Sequence, residues 1–255
     1  MARNRARREL SQHFLTDADA VRRIIQAARL SPHDLVLEPG AGTGAMTLAL
    51  ARRCRKVIAY EIDPFHAAKL SARTRHHSTI DVIREDFLQT QAPREPFAVV
   101  GNIPYTVTSP IVKWYLRSPH LTSATLLTQL EYARKRAGDY GRCTLLTIRT
   151  WPTLSWQLAG SVGRHSFRPV PNVNSAVLRL VRRSTPLVAR EEAASYDSLV
   201  MQGFSGIGGS LYASLRSTAP TKRLSKAFAE AGIDRGLAVG FVHPDQWVTL
   251  FRELH

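Results

Sequence analysis

Short apolar runs alternate with stretches of helical periodicity over the first half of the chain. The apolar runs predict buried parallel strands at 35–38, 57–61, 80–83, 97–101 and 124–128. One helix is predicted before the first strand, from Asp17 or Asp19 to about residue 29, and others between the strands at 44–53, 64–74 and 110–117. This alternation predicts an α/β protein with an open parallel sheet covered on both faces. Ligands of such sheets bind at the carboxyl ends of the strands.

The pattern changes towards the C-terminus. Apolar runs at 154–162 and 175–181 can complete the sheet as a hairpin. From residue 184 onward the chain becomes a series of short helical pieces, including 223–228 and 244–251, interrupted by glycines. We therefore predict three parts: a basic N-terminal arm at 1–10, an α/β domain at 11–181, and a small helical domain at 182–255.

The distribution of charge along the chain indicates what kind of molecule the protein binds. The 255 residues carry a net charge of +15, of which +13 falls on residues 1–181 and +2 on residues 182–255. Arginine outnumbers lysine 29 to 6, and a genomic arginine bias explains that ratio but not the shortage of acidic residues. The excess therefore favours a polyanionic partner, nucleic acid, on the domain that carries the motifs described below.

Several classes of protein are disfavoured by composition. The sequence contains no run of about 18 apolar residues, so no membrane span is predicted. No apolar segment follows the N-terminal arginines, as one would in a secretory signal. Cys54 and Cys143 lack the spacing of a metal site, so reduced cytosolic thiols are expected rather than a disulfide or zinc. We therefore expect a cytoplasmic protein without a metal.

Three polar motifs follow successive predicted strands and indicate a nucleotide cofactor. The turn Glu38–Gly44 has the spacing G-x-G-x-G, which favours a methyltransferase over the G-x-G-x-x-G of dinucleotide enzymes. Glu61 can accept from both hydroxyls of a ribose, which suits either NAD or S-adenosylmethionine. Asp86 can accept from an adenine amino group while Phe87 packs against the ring. The set favours S-adenosylmethionine, with a nicotinamide oxidoreductase as a weaker alternative.

The segment Asn102-Ile103-Pro104-Tyr105 follows the fourth predicted strand and specifies the chemistry. The exocyclic amine of adenine is a poor nucleophile, because its lone pair is delocalised into the ring. An amide oxygen and a nearby backbone carbonyl can hold that amine with its lone pair directed at a methyl group. Pro104 fixes the backbone, and Tyr105 can stack on the base and stabilise the developing positive charge. The segment predicts methylation of an adenine amine.

These motifs, with 12–15 and 167–175, resemble the rRNA adenine N6-methyltransferases, which include the Erm and KsgA types. The resemblance implies a Rossmann-like class I methyltransferase with a mostly parallel seven-stranded sheet and a small C-terminal helical domain. It implies cofactor contacts from His13, Leu15, Gly40, Gly42, Glu61, Ile62, Asp86, Phe87 and Asn102. It also assigns Asn102, Ile103, Pro104, Tyr105 and Phe167 to the target base, with Phe167 stacking on the face opposite Tyr105. His13 departs from the commoner asparagine.

The segment from Pro169 to Ser175 looks Erm-like, because it reads P-V-P-x-V-N-S where the KsgA type more often reads P-P-P-x-V-D-S. Residues 129–135 and Gly141-Arg142 also suit the Erm branch. That branch implies methylation of one adenine in the peptidyl transferase loop of 23S rRNA, and resistance to macrolides, lincosamides and streptogramin B. The alternatives are a KsgA-type 16S rRNA dimethyltransferase and an RNA-binding relative that has lost catalysis.

Basic residues on both sides of the motifs are candidates for phosphate contacts. They are Arg3, Arg5, Arg7, Arg8, Arg134, Lys135, Arg136, Arg142, Arg164 and Arg168. The prediction concerns the set, since any single arginine is more often a solvated side chain. We expect the enzyme to act as a monomer.

Overall fold

The computed structural model describes residues 13–138, 141–206 and 208–255. These residues form two compact units. The described part of the first unit contains residues 13–133 and Leu158–Leu180. The second unit contains Arg134–Gln157 and residues 181–255. Residues 134–157 thus group with the C-terminal residues, and the single domain boundary near residue 182 remains a prediction. Arg3, Arg5, Arg7 and Arg8 lie outside the described residues.

Strands and helices alternate through the first unit. Its elements are β1 (Phe14–Leu15), α1 (Ala18–Ala28), β2 (Leu35–Pro39), α2 (Thr47–Leu50), β3 (Lys56–Tyr60), α3 (Pro64–Thr74), β4 (Ile80–Ile83), β5 (Phe97–Asn102), α4 (Thr108–Leu116) and β6 (Leu121–Gln129). The following elements are α5 (Leu130–Ala137), α6 (Leu145–Thr150), β7 (Leu154–Val162), β8 (Phe167–Arg168) and β9 (Ser175–Arg182). The chain continues with α7 (Ala193–Gly203), α8 (Leu211–Ser214), α9 (Thr221–Glu230) and α10 (Pro244–Leu254).

Seven strands form one sheet in the order β4-β3-β2-β5-β6-β9-β7. The first five are parallel, with Leu37 of β2 facing Ile58 on one side and Val99 on the other. All five residues of β2 are buried, as expected for a parallel strand covered on both faces. The predicted Rossmann-like, mostly parallel sheet is confirmed. A separate antiparallel pair joins β1 to β8, with Leu15 opposite Phe167.

Helix α1 shows why this sequence folds as predicted at its start. Asp17 caps the helix by accepting the backbone N–H groups of Asp19 and Ala20, and Arg29 ends it with a φ of 52°. One face, containing Val21 and Ile24, is buried in the core of the first unit. The spacing of these apolar residues is that of a helix with one buried stripe.

The helix predicted at 44–53 is much shorter in the structure, where α2 spans only Thr47–Leu50. Gly44 has a φ of +79°, which lies outside the right-handed helical region. After Leu50 the chain tightens, and the N–H of Arg53 bonds to the carbonyl of Leu50. The helix prediction was therefore wrong at both ends, because residues 44–46 belong to the turn before the helix and residues 51–53 form a tighter turn after it.

The second unit is mainly helical. Helix α10 begins at Pro244 with a reciprocal cap between His243 and Gln246, and it buries Trp247 and Phe251. The ring of Phe204 stacks on Trp247 at 5.9 Å. In the described ranges, no helix has the length and apolarity needed to span a membrane. Cys54 and Cys143 are buried and free of a disulfide.

Candidate active site

A cavity of about 210 Å³ opens at the carboxyl ends of β2, β3 and β5 in the first unit. Its walls include the glycine turn after β2, the acidic residues after β3 and β4, and the segment after β5. Most of the residues predicted to form the site line this cavity. They are His13, Gly40, Gly42, Glu61, Ile62, Asp86, Phe87, Asn102, Ile103, Pro104 and Tyr105. The structure therefore brings together motifs that are spread over about ninety positions of sequence.

Gly42 shows why the turn needs glycine. Its φ is +55°, and its N–H donates to the Glu61 carboxylate over 2.7 Å. A Cβ atom at this position would lie 3.1 Å from the ring of Phe14. Both the backbone conformation and the approach of Phe14 therefore favour a residue without a side chain. The result is a tight turn that brings backbone atoms to the surface of the cavity.

Glu61 and Asp86 place carboxylates along the same cavity. The two oxygens of Glu61 accept from the N–H groups of Gly42 and Asp63, at 2.7 and 2.9 Å. Asp86 caps the short 3₁₀ helix Phe87–Gln89 by accepting from the N–H of Leu88. A carboxylate has about four acceptor positions, so each group keeps capacity for hydroxyl or amino donors of a ligand. Their orientation is thus set by the backbone before any ligand binds.

Glu38 lies beneath the glycine turn and is almost fully buried, with 1% of its surface exposed. Burial raises the pKa of this carboxyl to about 8, and the nearby charge of Glu61 acts in the same direction while the Thr47 hydroxyl opposes it. Glu38 is therefore mostly protonated at neutral pH. The glycine turn rests on a neutral acid rather than on a second buried charge.

Aromatic rings hold the Asp86-Phe87 wall in place. Phe87 packs against Trp114 at 4.6 Å and against Tyr60 at 5.3 Å between ring centroids. The indole N–H of Trp114 donates to the carbonyl of Thr90, just beyond the 3₁₀ helix. This packing gives the cavity a rigid apolar side next to the Asp86 carboxylate, which suits a planar heterocycle that carries an amino group.

Asn102 ends β5 with its side chain oriented by a distant residue. Its amide nitrogen donates to the backbone carbonyl of His13 over 2.9 Å. This donation leaves Oδ1 as the acceptor atom of the same amide. Gly101 before it lets β2 approach closely, since a Cβ there would lie 3.0 Å from Pro39. The end of β5 therefore presents a fixed hydrogen-bond acceptor beside the glycine turn.

Tyr105 is also held by a distant residue. Its hydroxyl and the Ser175 hydroxyl lie 2.6 Å apart, and its ring centroid lies 5.8 Å from that of His13. Burial raises the pKa of Tyr105, although the hydrogen bond with Ser175 opposes the shift. The side chain thus remains a neutral phenol at physiological pH, with its orientation set from outside the Asn102–Tyr105 segment.

Residues 13–17 form a strap along the cavity, which is tied to the chain around β8. The N–H of Thr16 donates to the carbonyl of Ser166 over 2.9 Å, and the Ser166 hydroxyl donates to Asp17 over 2.7 Å. A ring nitrogen of His13 lies 2.9 Å from the carbonyl oxygen of Pro169. The strap supplies the His13 carbonyl that orients Asn102, so these hydrogen bonds help to fix the position of the Asn102 side chain.

Leu15 and Phe167 do not line the cavity. Leu15 is buried, and Phe167 has no exposed surface and belongs to the same core cluster as α1. Their backbones pair between β1 and β8, which turns both side chains into the core. Phe167 would have to leave this core to stack on a base. Its stacking role and the cofactor contact of Leu15 both stay predictions. Ser166, which holds the strap, and Ser175, which holds Tyr105, were not predicted as part of the site.

The predicted RNA-contacting residues fall in both units. Arg164 and Arg168 are exposed on the first unit, around the turn that leads into β8. Arg134, Lys135, Arg136 and Arg142 belong to the second unit. The Arg136 side chain bonds to Thr144, and Arg142 lies over the ring of Phe241 at 5.2 Å. Their contacts with RNA stay a prediction.

The Rossmann-like sheet, with its glycine turn and two strand-end carboxylates, is the fold of a class I methyltransferase. The Asn-Ile-Pro-Tyr segment at the end of β5 indicates that the acceptor is an exocyclic amine. The family model for ribosomal RNA adenine dimethylase matches residues 3–255. The chain belongs to this family. It is an S-adenosylmethionine-dependent rRNA adenine-N6 methyltransferase, which confirms the predicted enzyme, cofactor and class of RNA substrate.

Three relatives illustrate the similarity. The chain is 51% identical to an rRNA adenine N-6-methyltransferase of Streptomyces fradiae, over 98% of this chain and 79% of the relative. It is 33% identical to the mycinamicin-resistance protein MyrB of Micromonospora griseorubida, over 96% of this chain and 78% of that protein. The crystal structure of the 23S rRNA methyltransferase ErmE matches with a TM-score of 0.92 and 46% identity, covering 94% of this chain and 99% of ErmE.

Proposed function

We propose that this enzyme methylates N6 of one adenine in the peptidyl transferase loop of 23S rRNA and thereby gives resistance to macrolides, lincosamides and streptogramin B. The observation that carries the choice of RNA is the likeness to ErmE over nearly the whole of both chains. The likeness to a mycinamicin-resistance protein supports the link to resistance. A methyl group on that amine adds bulk and removes a hydrogen-bond donor where the drug binds.

The side chains and backbone groups that line the cavity match the chemical groups of S-adenosylmethionine. The turn at Gly40 and Gly42 would hold the methionine part, Glu61 the ribose hydroxyls and Asp86 the adenine amino group, with Ile62 and Phe87 against the ring. The acceptor capacity left on both carboxylates and the absence of a Cβ at Gly42 support this assignment. When bound, the cofactor supplies an electrophilic methyl group.

The chain positions the target amine rather than removing a proton from it. Asn102 Oδ1 accepts one amine hydrogen, and a backbone carbonyl near Pro104 accepts the other. Tyr105 stacks on the base and stabilises the positive charge that develops on it. Because the methylated amine is acidic, its proton passes to water, and no buried base is needed. Catalysis therefore comes from orientation and electrostatics.

The target adenine must leave its stack to reach the end of β5. This costs a few kcal/mol in a duplex and less in a loop, which favours a target in an unpaired region. Stacking on Tyr105 offsets about 1–3 kcal/mol of that cost. Exposed Arg164 and Arg168, together with Arg142 and the basic residues of α5, are the described candidates for holding the phosphates.

The proposal is tested by expressing the full chain in a drug-sensitive bacterium and locating N6-methylated adenines by primer extension on both rRNAs. We expect modification of 23S rRNA and growth on macrolides. A modified 16S rRNA with an unmodified 23S rRNA would assign the enzyme to KsgA-type ribosome biogenesis. RNA binding without transfer of labelled methyl would support the binding-only relative. We also expect a monomer in the cytoplasm, which sedimentation of purified enzyme and cell fractionation would check.

A further inference from the structure

A second, polar cavity of about 420 Å³ lies in the first unit at the carboxyl end of β6. Side-chain amides come from Gln129, Asn172 and Asn174. Arg164 and Glu131 contribute one group of each charge, and Leu130 and Val173 add apolar surface. Its volume is within the range of about 300–1,000 Å³ that is typical of small-molecule sites. None of these residues except Arg164 has a role in the mechanism described above.

Hydrogen bonds hold the walls of this cavity together. The N–H of Leu130 donates to the carbonyl of Asn174 over 3.0 Å, which joins the end of β6 to the segment before β9. The side-chain oxygen of Asn174 accepts from the N–H of Arg164 over 3.3 Å, which joins that segment to the turn before β8. Asn174 therefore links the two other walls, so the cavity has a defined shape before any ligand binds.

The second cavity is adjacent to the target-binding end of the first. Strand β6 lies beside β5, with Asn102 facing Leu127 two positions before Gln129. Neighbouring strands are separated by about 4.8 Å. In addition, Ser175, which contacts the Tyr105 hydroxyl, directly follows Asn174 in the chain. A nucleotide in the second cavity would therefore be close to a base that is stacked on Tyr105.

The lining of the cavity is suited to the edge of a base rather than to a phosphate. Amides of Asn and Gln read adenine, guanidinium groups read guanine and carboxylates read the amino group of cytosine. With three amides and a carboxylate against one guanidinium, the lining is poorer in positive charge than a phosphate site would be. Val173, which is 44% exposed, and Leu130 can pack against the face of the ring.

We propose that this cavity binds the base of a nucleotide immediately flanking the target adenine and selects its identity. The inference rests on the proposed function, because it takes unpaired rRNA as the substrate. It also gives the 169–175 segment a physical role. Asn172 is exposed at the rim and accessible to a base.

The test uses purified full-length enzyme and a hairpin RNA taken from the 23S target loop, with each nucleotide flanking the adenine replaced in turn by the other three. We expect wild type to discriminate about tenfold in kcat/KM at one flanking position. Asn172→Ala should lower kcat/KM on the native hairpin about tenfold and reduce the discrimination to about twofold, with unchanged S-adenosylmethionine affinity. Asn172→Asp should change which base is preferred.

Gln91→Ala is the matched control, because Gln91 is an exposed amide on the first unit outside both cavities. It should retain the wild-type profile. Equal activity of wild type on all flanking bases would overturn the inference, and so would a wild-type profile for both Asn172 variants. Transfer only to a 16S-derived hairpin would reject the 23S assignment alone, and the same scan on that RNA would then decide the inference. Transfer to neither RNA would reject both.

Discussion

The two halves of the first cavity are built in different ways. In the cofactor half, the turn at Gly42 and the carboxylates of Glu61 and Asp86 are held by backbone N–H groups within 19 positions of sequence. In the target half, Asn102 is oriented by a carbonyl 89 positions away, and Tyr105 by a hydroxyl 70 positions away. The cofactor half is therefore a local product of strand ends, whereas the target half depends on segments that arrive from elsewhere in the chain.

This difference predicts that the halves can be altered separately. Changes within the glycine turn should weaken cofactor binding while leaving the target amine correctly held. Changes in the strap or at the end of β5 should reduce turnover with cofactor affinity largely retained. Three of the following four substitutions test this separation, and Glu38→Gln tests the support beneath the cofactor half. They run from the largest expected effect to the smallest.

Asn102→Ala removes the acceptor that holds the target amine. We expect kcat to fall by about 100-fold or more, the magnitude typical of losing one positioned hydrogen-bonding group in a transition state. The affinity for S-adenosylmethionine, measured by calorimetry, should change by less than about threefold. Retained turnover in this variant would show that the amine is held by other groups. A large loss of cofactor affinity would break the separation between the halves.

Glu38→Gln replaces the buried acid beneath the glycine turn by a neutral amide of similar shape. The folded pKa of Glu38 is raised from 4.5 to about 8, so its contribution to stability is complete below about 4.5 and is lost as pH rises towards 8. Each pH unit in that window costs wild type about 1.4 kcal/mol relative to the variant.

Urea unfolding at about pH 6 and about pH 7.5 should therefore show wild type losing about 2 kcal/mol relative to Glu38→Gln. Parallel pH profiles for the two proteins would show that Glu38 does not keep its proton in the folded state. This result would leave the target half untouched, since none of its contacts involves Glu38.

Gly42→Ala places a Cβ against Phe14 at a residue with positive φ. We expect the affinity for S-adenosylmethionine to fall about tenfold, because a non-glycine residue in this conformation costs about 1 kcal/mol and the ring must also move. The value of kcat at saturating cofactor should stay within about threefold of wild type. An effect confined to kcat would contradict the assignment of this turn to the cofactor. The exposed Gly141, near which a Cβ would meet no atom within 4 Å, provides a Gly→Ala control.

Ser166→Ala removes the hydroxyl that ties Asp17 of the strap to the chain before β8. We expect about a fivefold loss of kcat with little change in the KM for cofactor, because the strap orients Asn102 through the His13 carbonyl. Ser166→Thr retains the hydroxyl and should restore most of the turnover. Equal loss in both variants would indicate a packing effect rather than loss of the hydrogen bond.

The central sheet could be predicted from sequence because buried parallel strands are continuous apolar runs. The glycine turn, Glu61, Asp86 and Asn102 were predictable for a related reason, since polar residues that follow such runs must gather at one edge of the sheet. These inferences require only local pattern and one rule of topology. They account for most of the cofactor half.

No comparable sequence pattern predicted the strap or the hydrogen bonds that hold it. Strands β1 and β8 have two residues each, which is too short for any periodicity. The partnerships of Asp17 with Ser166 and of Tyr105 with Ser175 join residues with ordinary polar side chains across long separations. The stacking role of Phe167 came from the resemblance alone, whereas the burial of Phe167 follows from the pairing of β8 with β1. Tertiary contacts decided these positions.

The pairing of β1 with β8 also affects the order in which the site can form during synthesis. The strap is made first, yet Ser166, to which Thr16 is tied, follows 150 positions later. By the time that partner emerges from the ribosome, β2 to β6 have already been translated. Vectorial synthesis therefore delivers every segment of the cofactor half before Ser166 and Ser175, the residues that hold the strap and Tyr105.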